Sequence, residues 1–259
     1  MKVRSSLLQI AATIVVFGAL AQAQPHEAAR GSGRGSSVQL GDKVVVIPAP
    51  EGYEEAGSQF KEVNDRFVST EAPGADFLLA HLPAAQCQLL RNGAPLELNR
   101  YTKIAVMKAI RNLAFAESDM AGAVAEFRKN SGAMFDPDGP TMKAVMENAE
   151  RGLTNLASRP IELGLNGTQN LGEFDVRPDV YSVMLLITYK VGSEGTQSTM
   201  VMLASLTFLK VKQRLLYVTA YRKISSPAAL KTELKPGISE MKQFTTKWVN
   251  EILAANKEG

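Results

Sequence analysis

Few residues in this chain are spaced for chemistry. Ser239-Glu-Met-Lys242 matches the S-x-x-K pattern of serine acyl-transferases, a nucleophilic hydroxyl close to an amine. Two fixed residues recur by chance about once in a chain this long, and the companion patterns S-D-N and K-T-G are missing. Lys231-Thr-Glu stands nearest to the latter, and Lys242 falls on the wet side of a predicted helix, so the match is read as coincidence. Asp136-Pro-Asp138-Gly139 opens like a calcium loop, but the later ligands and the distal Glu of an EF-hand are absent. It is read as a Pro-Asp-Gly turn. The two histidines, His26 and His81, lie far apart with no cysteine or second histidine beside either, which is not zinc spacing. Cys87 is the single cysteine, so it has no partner for an internal disulfide. No basic neighbour marks it as a nucleophile, and it is read as a small buried apolar residue. His81 sits in an apolar strand and is read as a core residue.

No G-x-S-x-G, H-E-x-x-H or Walker loop occurs. Acids are plentiful, which leaves one enzymatic route open: a hydrolase built from paired carboxylates and hydroxyls. Asn166-Gly-Thr168 has the form of a glycosylation sequon, but Asn-Gly is first a turn signal. No catalytic, cofactor-binding or metal-binding residue is assigned, and no cofactor is expected.

The first segment reads as an address. Lys2 and Arg4 begin it, Leu7 to Leu20 carry no charge, and Ala21-Gln-Ala23 is an A-x-A cleavage site. The uncharged run is shorter than the roughly 20 apolar residues of a spanning helix. Residues 1–23 are therefore read as a signal peptide cleaved after Ala23, with an uncleaved anchor as the rival. The mature chain is expected in the periplasm or outside the cell, with no transmembrane segment. The formal charge of +3 then falls to +1, too little to draw nucleic acid. That +1 is split. Residues 24–209 hold 17 basic and 22 acidic residues, and residues 210–259 hold ten and four. Lys210, Lys212, Arg214, Arg222 and Lys223 belong to this cationic end. It is read as a solvated face paired with the acidic remainder, or as a docking surface for an acidic protein or anionic head groups.

Hydrophobic residues make up 45% of the chain and charged residues 21%, which excludes a disordered chain, a collagen-like repeat and a polytopic membrane protein. Residues 24–37, rich in Gly and Ser, read as a flexible linker. Residues 38–259 read as a single α+β domain. A strand is predicted at 44–47, a turn at Glu51-Gly52, a helix over 58–69, a strand over 77–82 and a helix over 83–91. The stretch 101–110 leans to strand. Ser118 is read as the N-cap of a helix stopped by Gly132, and a second helix covers 141–157. Four strands follow at 162–174, 180–191, 197–209 and 214–222, spaced closely enough for an antiparallel meander. Residues 200–209 are apolar on both faces, so this sheet is expected to be covered on both sides. An amphipathic helix over 237–255, anchored by Trp248, closes the chain.

Ile47-Pro-Ala-Pro-Glu-Gly-Tyr-Glu-Glu55, Leu216-Tyr-Val-Thr-Ala-Tyr221 and the Trp248–Asn256 helix together resemble uncharacterised exported bacterial proteins. The order of elements more distantly resembles the PsbP-like α/β/α sandwich, over most of residues 42–256. That resemblance implies a central antiparallel sheet between helices and an accessory or binding role. The helices at 118–157 are an addition to a minimal version, and no functional residue is carried over. The reading is an exported, soluble, non-enzymatic binding or accessory protein whose partner is an unknown protein or envelope component. The alternatives are the carboxylate hydrolase and a peripheral envelope protein docking through its cationic end.

Overall fold

The computed structural model describes residues 35–193 and 195–257. The signal peptide read at 1–23, His26 and most of the linker lie outside the described residues. Strands β1 (Ser36–Leu40) and β2 (Lys43–Ile47) form a hairpin, and β3 (Tyr53–Glu55), α1 (Lys61–Thr70), β4 (Ala75–Pro83), α2 (Ala84–Arg91) and β5 (Arg100–Met107) follow. Helices α3 (Glu117–Met134) and α4 (Pro140–Ala157) precede the meander β6 (Glu162–Arg177), β7 (Val180–Ser193), β8 (Thr196–Val211) and β9 (Arg214–Lys223). Helix α5 (Leu230–Ala255) comes last.

Strands β3 to β9 form one antiparallel sheet in the order β3-β4-β5-β9-β8-β7-β6. The protein is thus α+β. Every residue from Met200 to Leu209 is buried, because each face of β8 meets a different layer. Met202, Ala204, Leu206 and Phe208 pack with residues of α1 to α4. Leu203 and Leu209 face α5 and the β1–β2 hairpin. A strand with no wet face has no reason to alternate, which is why its sequence reads as continuous apolar residues.

The β8–β9 turn contains no glycine, yet Lys212 and Gln213 both adopt positive φ, 47° and 58°. Two such residues between paired Val211 and Arg214 make the turn that matches strand twist. Their neighbours hold them there: Lys212 Nζ donates to Val44 O at 2.9 Å, Arg214 Nη1 to Gln213 O at 2.9 Å, and Phe115 N to Gln213 O at 2.9 Å.

The first and last elements are fastened together. Trp248 Nε1 donates to Pro48 O at 2.8 Å, and Asn256 Nδ2 donates to Val46 O at 2.7 Å while its Oδ1 accepts from Val46 N at 2.9 Å. Arg214 reaches the same hairpin through Leu40 O and the Asp42 carboxylate.

Several boundaries differ from the sequence reading. β1 starts at Ser36, inside the segment read as linker, and β3 follows the Glu51-Gly52 turn. Helix α3 begins at Glu117, and its cap is the Asp119 carboxylate accepting from Ala116 N at 2.8 Å rather than the Ser118 hydroxyl. Gly132 lies inside α3, with open space where a Cβ would stand. Helix α5 starts at Leu230 and carries Pro236 within it. Pro236-Gly237 looks like a boundary in sequence, but both residues lie within the helix, where a Cβ built on Gly237 would come 3.0 and 3.4 Å from the side-chain ends of Arg222 and Leu203.

Candidate functional site

Two places gather polar side chains, one closed and one open. The closed one lies on the sheet face beneath α1 and α4. Lys103, midway along β5, places Nζ 3.0 Å from Glu71 Oε2, and both side chains are under a twentieth exposed. Glu71 caps the end of α1, and its carbonyl accepts Asn148 Nδ2 from α4 at 2.9 Å. Tyr101 and Tyr221 are cross-strand partners with rings stacked at 4.5 Å. Burial pushes the hydroxyls of Tyr101, Tyr217 and Tyr221 far up, so they stay protonated. Amine, carboxylate and phenols together resemble an acid–base site. Here the amine and the carboxylate are spent on each other. Glu71 is the one carboxylate in the buried class among the described residues.

His81 lies on the opposite face. Its Nδ1 is 2.9 Å from Thr102 Oγ1, its ring meets the Trp248 edge at 5.5 Å, and its Nε2 finds no hydrogen-bond partner. It is a core residue, satisfied on one nitrogen. Burial lowers its pKa to about 4. The unfolded chain therefore takes up a proton below about pH 6.5, while the folded chain stays neutral until about pH 4. Stability should fall through that window by about 3 kcal/mol from this group alone. Urea denaturation of His81→Leu beside the parent chain checks this: the variant should lose that part of the slope. Equal slopes would refute it.

The remaining residues of interest are placed as follows. Cys87 is buried, and its thiol is pushed up to about 11, mainly by burial. Asp138 N donates to Asp136 Oδ1 at 3.1 Å, which is the turn read from sequence. Among the described residues no group of three or more His, Cys, Asp or Glu is placed to hold a metal ion. Asn166 is exposed and sits in a bulge of β6 rather than a turn. Ser239 is exposed on α5, and Lys242 lies over a phenylalanine ring.

Most of the singled-out cations are fasteners. Lys210 pairs with Asp179 at 2.9 Å, and Arg222 with Glu240 at 2.7 Å. Lys212 and Arg214 hold the hairpin as described. Lys223 is exposed at the end of β9. The cationic surface is thereby carried over to α5.

There the open site lies, a groove of about 670 Å³ between α5 and β6. Phe174 forms one wall, and Lys242, Gln243, Thr246, Lys247 and Asn250 line the helix side. Strand β6 is bulged at three points, and in the third Phe174 stands unpaired between Glu173↔Val183 and Asp175↔Ser182. A bulge bends its strand and redirects the extra side chain. Leu171 and Phe174, each the extra residue of a bulge, both pack toward α5. Gly172, at φ 106°, permits the bend between them. Lys242 Nζ lies 5.8 Å from the Phe174 ring centre, a cation–π distance. Arg177 closes one end, donating to Asn250 Oδ1 at 2.9 Å while gripping Asp175 at 2.7 Å with Nε and Nη2. Lys247 pairs with the Glu51 carboxylate, which lowers the Glu51 pKa. Both partners are well exposed, so this contact is easily exchanged.

Sequence reasoning missed both places. Lys103 left a trace, a charge in the middle of the apolar run Tyr101–Met107. The groove left none, since Phe174 is brought to α5 by the register of β6 on β7.

Among the described residues no helix is long and apolar enough to cross a membrane. No family model and no curated protein matches the chain. Among solved structures it is similar to the Ran-binding protein Mog1p of Saccharomyces cerevisiae, at 10% identity over 87% of this chain and 93% of that one, with a TM-score of 0.31. It is also similar to PA94 of Pseudomonas aeruginosa, a protein of unknown function, at 10% identity over 81% of this chain and 95% of that one, with a TM-score of 0.22. Likenesses at these TM-scores carry no argument about what this chain does.

Proposed function

We propose that this chain is an exported binding or accessory module, non-enzymatic, that meets its partner through the groove between β6 and α5. The observation that carries the reading is the bulge at Phe174, whose ring packs against the apolar cluster around Met241 and also lines the groove beside Lys242. An edge strand would be equally well blunted by a bulge aimed elsewhere. The buried polar groups support a non-catalytic role, because the Lys103–Glu71 pair and the tyrosines brace one sheet face. The layout of residues 1–23 supports export, with the signal removed after Ala23 and the protein acting in the periplasm or outside the cell. An antiparallel sheet between helical layers supports the PsbP-like resemblance and the accessory role it implies.

A photo-crosslinking residue placed at Gln243 or Asn250 in growing cells tests the reading. A discrete adduct is expected from these positions and not from Glu97, an exposed position outside the groove. Adducts of equal yield from all three would overturn the groove. Robust turnover by the purified mature protein on a hydrolase panel would overturn the non-enzymatic role.

A further inference from the structure

We infer that Asn166 is a self-modifying site, where the chain turns its own asparagine into aspartate and isoaspartate through a succinimide. The inference stands apart from the groove and from the binding role proposed for it. Asn-Gly pairs occur twice in the chain, at Asn92-Gly93 and Asn166-Gly167. Ring closure at such a pair needs a carboxamide free to turn, a backbone free to swing the next nitrogen toward it, and no side chain in the way. Asn166 meets these needs. It is exposed, and it is the extra residue of the first bulge of β6, passed over between Leu165↔Tyr189 and Gly167↔Thr188. β6 is the last strand of its sheet, so no further strand holds it from the outer side. The Asn166 carboxamide makes no hydrogen bond to the protein among the described residues, whereas that of Asn170, on the same strand, accepts from Gly172 N at 2.9 Å.

The fold does not require glycine at 167. A Cβ built there meets nothing within 4 Å, and its φ lies outside the positive region that Gly172 occupies. What glycine leaves at 167 is a sterically unshielded nitrogen beside an unrestrained carboxamide. Asn92 is the contrast. Asn92 N donates to Leu89 O at 3.0 Å, Gly93 N donates to Leu90 O at 2.9 Å, and Asn92 Oδ1 accepts from Gln88 Nε2 at 3.4 Å. Backbone and side chain are both tied to the end of α2, so ring closure there must wait for the helix end to open.

Solvent hydroxide takes the proton from Gly167 N, and the nitrogen attacks Asn166 Cγ. The new C–N bond closes a five-membered ring, the old bond from Cγ to the amide nitrogen breaks, and that nitrogen leaves as ammonia with a proton from water. Water then opens the imide. Cleavage at Cγ gives aspartate, and cleavage at the main-chain carbonyl gives isoaspartate, whose backbone is longer by one methylene. Ammonia is lost, water is gained, and nothing is oxidised or reduced. Either product sets a new negative charge on the open edge of the sheet, where charge discourages pairing with another strand. The conversion also erases the Asn166-Gly-Thr168 sequon, whose Thr168 hydroxyl is buried in the folded chain.

The test is incubation of the purified protein at neutral and at mildly alkaline pH, followed by cleavage after glutamate. The peptide Leu163–Glu173 is then followed by mass spectrometry and by labelling with an isoaspartate methyltransferase. Both products are expected at Asn166, with isoaspartate in excess and the rate rising with pH. Conversion should run about tenfold faster than at Asn92, which waits on the helix end. Gly167→Val should slow it about tenfold, because a β-branched side chain crowds the nitrogen and stiffens its backbone. Asn166→Gln should abolish it, because the longer side chain would have to close a six-membered ring. Residue 167 has open space around it and Asn166 is exposed, so unchanged melting curves certify both variants as folded. Protein unfolded in urea gives the reference reactivity of both pairs. If Asn166 in the folded protein keeps its amide over a time in which the unfolded chain converts, the inference is overturned. Conversion without isoaspartate, equal rates in the parent and Gly167→Val, or earlier conversion at Asn92 would each overturn it as well.

Discussion

Replacing Lys103 by Met should destabilise the fold by about 3–5 kcal/mol, the usual cost of removing one partner from a buried ion pair. The variant keeps the Glu71 carboxylate under α1 and α4 with little left to compensate it, since its Oε1 accepts only a long bond of 3.3 Å from Ala72 N. Glu71→Gln should fall in the same range, because it strands the ammonium instead. The double variant Lys103→Met/Glu71→Leu should recover most of the loss, since an apolar pair of similar volume needs no solvation. Urea denaturation of the three variants checks this. If the double variant is as unstable as the sum of the singles, the pair is uncoupled, and Lys103 is held by the surrounding tyrosines instead. For a chain of this size the single variants should melt about 10 °C lower.

Gly152→Val should be nearly as severe, by steric exclusion. Helix α4 crosses α1 so closely at this point that a Cβ on residue 152 would stand 2.8 Å from the Ser69 carbonyl carbon and closer still to its oxygen. The obstacle is backbone, so no rotamer relieves it, and the helices must separate. That places the cost at the upper end of overpacking, about 3 kcal/mol, partly offset in Gly152→Ala by about 1 kcal/mol of helix propensity. Separation would also pull Asn148 from Glu71 O, so this site and the ion pair should couple in a double-mutant cycle. Gly122→Ala supplies the contrast. It lies inside α3 with open space where its Cβ would go, and should gain about 0.5–1 kcal/mol. Thermal melts showing Gly152→Ala as stable as Gly122→Ala would refute the close crossing.

Legibility in the sequence followed whether a signal was local. The four meander strands could be read because each ends in its own turn residues, and the two-sided cover of β8 followed from its missing alternation. Helix α5 begins seven residues before the predicted start at 237, because Pro236-Gly237 carries a local stop signal that the folded chain does not obey. Ser118 has the residue type of a cap, but the side chain that caps α3 is that of its neighbour Asp119, which reaches back to Ala116 N. β3 is three residues long and is a strand only because β4 lies beside it. The S-x-x-K match is local and therefore visible, yet Lys242 is turned to Phe174. The groove depends on which residue of β6 drops out of register, and register is a property of two strands. The cationic end was visible as a sum of charges. Its division into fasteners and groove residues was not, because the acids that tie down Lys210, Arg214 and Arg222 come from three separate parts of the chain.

The clasp between Val46 and Asn256 sets an order of events. Helix α5 and the hairpin pack on the same face of the sheet and are hydrogen-bonded to each other. As the chain is made, strands β4 to β9 are all present while only the hairpin is there to cover that face. Met184 and Leu203, which cluster with Met241 of α5, then remain bare until residues beyond 230 arrive. A nascent chain that lacks α5 therefore shows an apolar patch to any holdase that attends it. Docking of α5 is the step that closes that patch.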